Sequence, residues 1–275
     1  MGKANKTKIR QKGFILFLFF LSISFVKTFA TGQIGDRLIF NGDTLMLFTN
    51  PLEDYLSNKP KRTINNYELT WTSTACYRGY IATWEVTNDS LFLLSVQKGC
   101  QDENPQYFDL KSEFGASRVF VNWYTGKALA QKGKLLYYVH DAYESLYETE
   151  IEFQIEKGQV IGIKTYDNSK SKQSVYSQND IKLRQFIYSN INWEILPTNK
   201  NKEIIVVIQF SANENGIIDS VKVLRGYNAV FDHEAIRIVK TIPEWNIYYK
   251  HGKHKRINWN LPIVFSEENR NEYQK

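Results

Sequence analysis

Cysteine is scarce in this chain: 275 residues hold two, Cys76 and Cys100, and no Cys-x-x-Cys pair that would suit a redox site. Neither cysteine lies near residue 30, which argues against a lipid-modified N-terminus. Proline is sparse at six residues, and there is no proline-rich stretch to act as an extended spacer. The N-terminal apolar run, Phe14 to Val26, covers 13 residues, short of the ~20 that a membrane-spanning helix needs. Acidic residues are missing from positions 1–30, whereas six of the 35 Lys and Arg fall there (3, 6, 8, 10, 12 and 27). The other 29 basic residues balance 29 acidic ones, so the net charge of +6 gives no reason to expect a nucleic-acid partner. No serine nucleophile elbow, Walker-type glycine loop or carboxylate pair stands out.

A basic region, an apolar core and small residues at Thr28 and Ala30 have the layout of an export signal. The expected cut falls between Ala30 and Thr31. The rival reading keeps residues 14–30 as a membrane anchor that tolerates Lys27. After cleavage about 245 residues remain, enough for two small domains, each with its own core.

From Gly35 to about Lys172 the pattern is one of short strands. Arg37–Phe40 and Thr44–Phe48 flank the turn signal Asn41-Gly42-Asp43, and Pro51 opens a helical turn through Leu56. Tyr77–Thr87 and Leu91–Val96 form a hairpin about Asn88-Asp89. That hairpin puts position 76 opposite roughly position 101, and a one-residue bulge aligns Cys76 with Cys100. An exported protein meets an oxidising compartment, so a disulfide is expected, worth ~3 kcal/mol for a loop of this size; the alternative is two free buried thiols. Further strands are expected at Ser117–Tyr124, Lys134–Val139, Tyr147–Ile155 and Gln159–Tyr166, the last two joined at Glu156-Lys157-Gly158. In 147–155, apolar and acidic residues alternate, which gives one buried and one wet face. This is an antiparallel β-rich domain over 33–172, an open sheet curled on itself. The aromatics around His140 (Tyr137, Tyr138, Tyr143, Tyr147) either line a ligand cleft or cap the sheet. The polar stretch 168–174 reads as a linker.

The last third is more sharply patterned. Residues 180–191 carry apolar positions at near-helical spacing behind Asp180, a suitable N-cap. Ile204–Phe210 is almost continuously apolar, a strand expected to be covered on both faces. Asn215-Gly216 supplies a tight turn into a second strand around Val221 and Val223. A helix is expected from Asp232 as its cap, with Glu234 in its first turn and an apolar stripe of Ala235, Ile236, Val239 and Ile242; Pro243 ends it. Trp245 folds back on the sheet edge, Gly252-Lys253 turns the chain, and Lys255–Phe265 forms the last strand, with Pro262 marking an edge. Residues 267–275 are a polar tail.

Phe210, Gly216, Val221-x-Val223, Asp232-x-Glu234-Ala235, Pro243-x-Trp245, Gly252-Lys253 and Leu261-Pro262-Ile263, in this order, resemble the C-terminal domain of TonB-type proteins. The resemblance covers roughly 204–265, and more loosely the helix from Asp180. It implies a small ββαβ module over 176–266, hence an α+β protein overall, in the periplasm of a Gram-negative envelope. That family couples the inner membrane to outer-membrane receptors. The resemblance also implies that the last strand, over Lys255, Arg256, Ile257, Asn258, Trp259, Asn260 and Leu261, accepts a receptor peptide as an added strand. The same polar edge with Pro262 equally reads as a guard against aggregation. Two positions depart from the family pattern. Ile247 stands where a proline usually follows the Trp by two, and Ile187-Tyr188-Ser189-Asn190 replaces a Tyr-Pro motif ahead of the first strand.

His233-Glu234 begins like a zinc-protease helix, but Arg237 occupies the second ligand position. His251 and His254 sit in a basic turn that repels a cation. The expectation is a non-enzymatic, cofactor-free envelope protein that binds a protein or receptor peptide, with a homodimer left open. The alternatives are an energy transducer for transport, anchored through 14–30, and a small-ligand carrier with a closed pocket near Tyr138 and His140.

Overall fold

The computed structural model describes residues 32–101, 103–198 and 202–274. The export signal or anchor expected over 1–30, and the cut expected between Ala30 and Thr31, lie outside these residues. Two separate apolar cores are present, one in each half of the chain.

The first half contains β1 (Asp36–Phe40), β2 (Asp43–Leu47), α1 (Pro51–Ser57), β3 (Thr63–Ile64), β4 (Tyr67–Glu68), β5 (Tyr80–Thr87) and β6 (Ser90–Lys98). It continues with α2 (Leu110–Phe114), β7 (Val119–Phe120), β8 (Gly126–Tyr137), β9 (Leu146–Glu156) and β10 (Gln159–Asp167). Eight strands form one sheet in the order β10-β9-β8-β2-β1-β5-β6-β7, and Gln159 of β10 also pairs with Ser90 of β6. The expected curling is therefore carried to closure at one end. Leu52 and Leu56 of α1 belong to the core that the sheet encloses. Four tight hairpins turn at Asn41-Gly42, Asn65-Asn66, Asn88-Asp89 and Lys157-Gly158, every one of these residues having positive φ, as the twist of paired strands requires.

One pairing departs from the antiparallel expectation: β1 and β5 run parallel, Leu38 beside Trp84. The intervening 40 to 80 segment is long enough to make the crossover that parallel strands need. A buried acid fixes the join. Asp36 accepts hydrogen bonds from the Ala82 N–H (3.1 Å) and Trp84 Nε1 (2.9 Å), and Arg78 lies 3.1 Å away. The expected strand at 117–124 shrinks to Val119–Phe120, and that at 134–139 starts earlier, at Gly126. The helix α2, absent from the sequence expectations, carries its own local signals: Asp109 caps it by accepting from the Ser112 N–H, and Gly115 ends it at φ 79°.

Cys76 and Cys100 are joined, with Cα atoms 5.9 Å apart. The bulge in the β5–β6 hairpin lies between Thr83 and Trp84, but its extra residue, Leu94, is on β6. That shifts the register away from a direct 76–100 pairing, and the bond closes just beyond the strand ends. Nearby, Gly79 lies so close to the 70 segment, at φ 78°, that a Cβ there would meet the Thr70 carbonyl oxygen at 2.1 Å.

The second half contains α3 (Val175–Gln178), α4 (Asp180–Asn190), β11 (Ile204–Ala212), β12 (Ile218–Arg225), α5 (Ala229–Lys240), β13 (Tyr249–Lys250), β14 (Lys253–His254), β15 (Trp259–Phe265) and α6 (Glu267–Tyr273). Its sheet runs β12-β11-β15, antiparallel throughout. One face of β11 (Ile204, Val206, Ile208, Phe210) is buried; the other, with Ile205 and Val207, is only partly covered. Both helix starts move upstream of the expected caps. Asn228 caps α5 by accepting from the Val230 and Phe231 amides, and Asn179 caps α4 by accepting from the Lys182 amide. Asp232 instead accepts from the Tyr227 N–H (2.8 Å), and Asp180 sits in the first turn. The polar tail is a helix capped by Ser266, with Arg270 donating to the carbonyls of Trp193 (2.8 Å) and Leu196 (3.0 Å).

A candidate peptide-binding edge and the seam beside it

β15 is an edge strand, since among the described residues only β11 pairs with it. It begins at Trp259, so Lys255, Arg256, Ile257 and Asn258 are not part of a ladder, contrary to the expected strand from Lys255. Lys255 and Arg256 are held otherwise. The Lys255 N–H donates to the Tyr248 carbonyl (2.7 Å), and Arg256 makes a two-pronged pair with Asp219, whose carboxyl the Arg256 hydrogen bond holds below the usual range. Exposure still alternates along the stretch: Arg256, Asn258 and Asn260 are exposed, whereas Ile257, Trp259 and Leu261 are half-buried.

The backbone of β15 alternates between groups bonded to β11 and groups facing outward. Val264 identifies the outward set. Its N–H donates to Tyr188 Oη (3.3 Å), and its carbonyl accepts from Asn269 Nδ2 (2.9 Å). By the two-residue period Asn260 and Pro262 also face outward, which is where a proline costs the ladder nothing. The far end of the edge is thus capped by α4 and α6. The near end keeps the Asn260 N–H and C=O and the Pro262 C=O turned outward, on residues whose side chains are exposed. The edge is thus covered around Val264 and turned outward around Asn260 and Pro262.

The remaining motif residues support this strand. Gly216 (φ 78°) closes the β11–β12 turn, and its carbonyl accepts from the Trp245 N–H (2.8 Å). Trp245, buried, packs edge-on against Phe210 and Trp259. Ala235 is fully buried and Pro243 is exposed past the helix end. Glu234 is buried too, accepting from the Asn192 N–H (2.7 Å) and from Arg237, rather than merely facing the helix dipole.

The stretch 168–174 is no free linker. Lys172 and Ile247 exchange both backbone hydrogen bonds at 2.8 Å, and the Ser174 N–H donates to Asn246 Oδ1 (2.6 Å). Ile247 is the position where the family pattern has proline, which would have no N–H to donate here. Gly252 does not lead directly into the last strand. With His251 it forms the tip of a β13–β14 hairpin that docks on the first domain. There Glu150, fully buried, accepts from the His251 N–H (2.6 Å), Asn168 Nδ2 (2.9 Å) and Gln131 Nε2 (3.4 Å), and the Gly252 N–H donates to Asn168 Oδ1 (2.9 Å). At the rim, Lys250 (2.6 Å) and Lys255 (3.3 Å) meet Glu144; the Lys250 hydrogen bond leads in holding that carboxyl below its ordinary range. No periodicity signals this seam, because it is built from single polar residues far apart in sequence.

Above the seam Tyr137 packs on Tyr248 (4.8 Å between centroids) and on Trp259 (5.5 Å). Tyr138 lies edge-on to His140 and lines an open cleft between the two domains. His140 does not line it, so this cleft is not the closed pocket near Tyr138 and His140 that a small-ligand carrier calls for.

Residues 199–266 match the family model described as Gram-negative bacterial TonB protein C-terminal. The match begins after α4, which lies outside it. No curated protein and no solved structure matches the chain. With the ββαβ order, the Gly216–Trp245 contact and the family match all falling in one stretch, residues 199–266 are a TonB C-terminal domain, and the region before it is assigned to no family.

Proposed function

We propose that this is a periplasmic binding protein, not an enzyme, whose TonB C-terminal domain captures an extended segment of an envelope partner, such as an outer-membrane receptor, by adding it as a strand beside β15. The observation that carries the reading is the half-capped edge: Tyr188 and Asn269 cover the Val264 backbone groups, while Asn260 and Pro262 stay exposed. Main-chain pairing over so short an edge gives modest affinity and leaves specificity to side chains. The disulfide suits an oxidising compartment. The seam favours a module held at a fixed place on its own domain over one that pulls through a spacer.

Amide spectra of the full chain, titrated with peptides copied from candidate receptors, test the reading. Binding by strand addition shifts and protects the Asn260 amide. A peptide that binds and leaves Asn260 unchanged refutes it. Sequencing the N-terminus of exported protein separates this reading from the anchored transducer, since a start at Thr31 removes residues 14–30.

A further inference from the structure

We infer that the cleft between the end of β8 and the start of β15 is a specificity pocket for one uncharged aromatic or branched apolar side chain of the added peptide. The first domain thereby reads the partner jointly with the module. This rests on the strand-addition reading and goes beyond it.

The cleft has a volume of about 350 Å³, at the small end of the ~300–1,000 Å³ usual for binding pockets. Leu135 and Tyr138 wall it from the first domain, and Tyr248, Trp259 and Asn246 from the second. β8 reaches this far because its ladder with β2 ends at the Met46–Gln131 pair, so the strand continues past its neighbour towards the module. Its tip is left with Leu135 47% and Tyr138 45% exposed, large apolar surface that the fold itself does not bury.

Two features set the occupant. Trp259 adjoins Asn260, so a peptide paired at Asn260 and continuing by one or two residues, at ~3.3 Å each, arrives over the cleft. None of the lining residues carries a formal charge, and the lysines of the seam are engaged, Lys250 and Lys255 by Glu144 and Lys172 by Glu244. A charged side chain entering would lose its hydration without gaining a partner, whereas an aromatic or branched apolar one gains contact with Tyr138, Tyr248 and Trp259. The Tyr137–Tyr248 and Tyr137–Trp259 contacts and the seam hold the two walls together before any peptide arrives, which lowers the ordering cost of binding.

The test screens the full chain against an array of synthetic peptides of random sequence, then measures the selected peptides by fluorescence anisotropy. The expected selection favours Phe, Tyr, Leu or Ile at one position and disfavours charge there. Leu135→Ser and Tyr138→Ser each weaken binding about tenfold with thermal unfolding unmoved, because both side chains are largely exposed. Asn260→Pro removes an outward N–H without touching the β11 ladder and abolishes binding. If Asn260→Pro abolishes binding while both serine variants stay within about twofold of the parent, the pocket is refuted and strand addition stands. If the selected peptides are indifferent to Asn260→Pro, or none is captured, strand addition and the pocket both fall.

Discussion

Replacing Glu150 with alanine should disconnect the two domains. In the parent, this fully buried carboxylate accepts two short hydrogen bonds, from the His251 N–H (2.6 Å) and Asn168 Nδ2 (2.9 Å), and a weaker one from Gln131 Nε2 (3.4 Å). Hydrogen bonds to a charged group contribute about 1.5–3 kcal/mol each, so the two short ones amount to roughly 3–6 kcal/mol. Against this, alanine removes the cost of keeping a carboxylate out of water, which is of several kcal/mol before compensation. The net loss should be about 2–4 kcal/mol, because the His251 N–H loses its acceptor and Asn168 Nδ2 is left with the Tyr147 carbonyl (3.0 Å) alone. The loss should concentrate at the seam, since the hairpin tip hangs on this one acid and on Asn168. Urea unfolding followed by fluorescence and by amide exchange reads it out. The parent should unfold in a single transition with the His251 and Gly252 amides among the protected set. Glu150→Ala should split the transition and release those two amides at low urea. A variant that still unfolds in one transition, within about 0.5 kcal/mol of the parent and with His251 protected, would refute the seam as the coupling element.

Ile247→Pro restores the residue usual in the family but removes the N–H that donates to Lys172; we expect a loss of about 1 kcal/mol and faster proteolysis within 168–174. Reducing the Cys76–Cys100 bond, or replacing both cysteines with serine, should lower stability by about 3 kcal/mol, read as a drop in urea midpoint. Arg78→Ala should destabilise by about 3–5 kcal/mol at neutral pH by leaving the Asp36 carboxylate buried and without its cation. Burial pushes Asp36 up from 3.8 to about 6 even with Arg78 present. A folded-state value above the unfolded one gives stability that is full below about 3.8 and lost as pH rises through about 6. Without the Arg78 cation the folded-state value of Asp36 rises further, so in the variant the loss continues to higher pH and the gap between variant and parent should narrow on acidification from pH 7 towards ~5. A gap that widens over that range would show that Arg78 does not act through Asp36.

Local chemistry made much of the fold legible. Asn41-Gly42, Asn88-Asp89 and Lys157-Gly158 mark their turns because few residues accept positive φ, and the apolar period of 204–210 and 235–242 fixes one strand and one helix. Errors came where neighbours compete. Asp232 and Asp180 are good caps, yet Asn228 and Asn179 take the role one turn or one residue earlier. The strand at Lys255 fails because Arg256 and Lys255 are drawn to Asp219 and Glu144, acids 37 and 111 positions away. The polarity of 168–174 suggested free chain, but Asn168 and Ser174 are polar because they serve buried hydrogen bonds.

The sequence alone determined the two-part layout, the disulfide partners and the TonB-like module, because turn residues, apolar periods and motif order act over short distances. Only the tertiary structure decided which half of the β15 edge is capped, that β1 lies parallel to β5, and that the module is fastened to its neighbour through Glu150, Asn168 and Ile247. Those outcomes depend on contacts between residues far apart in the chain, whose burial and partners no local pattern encodes.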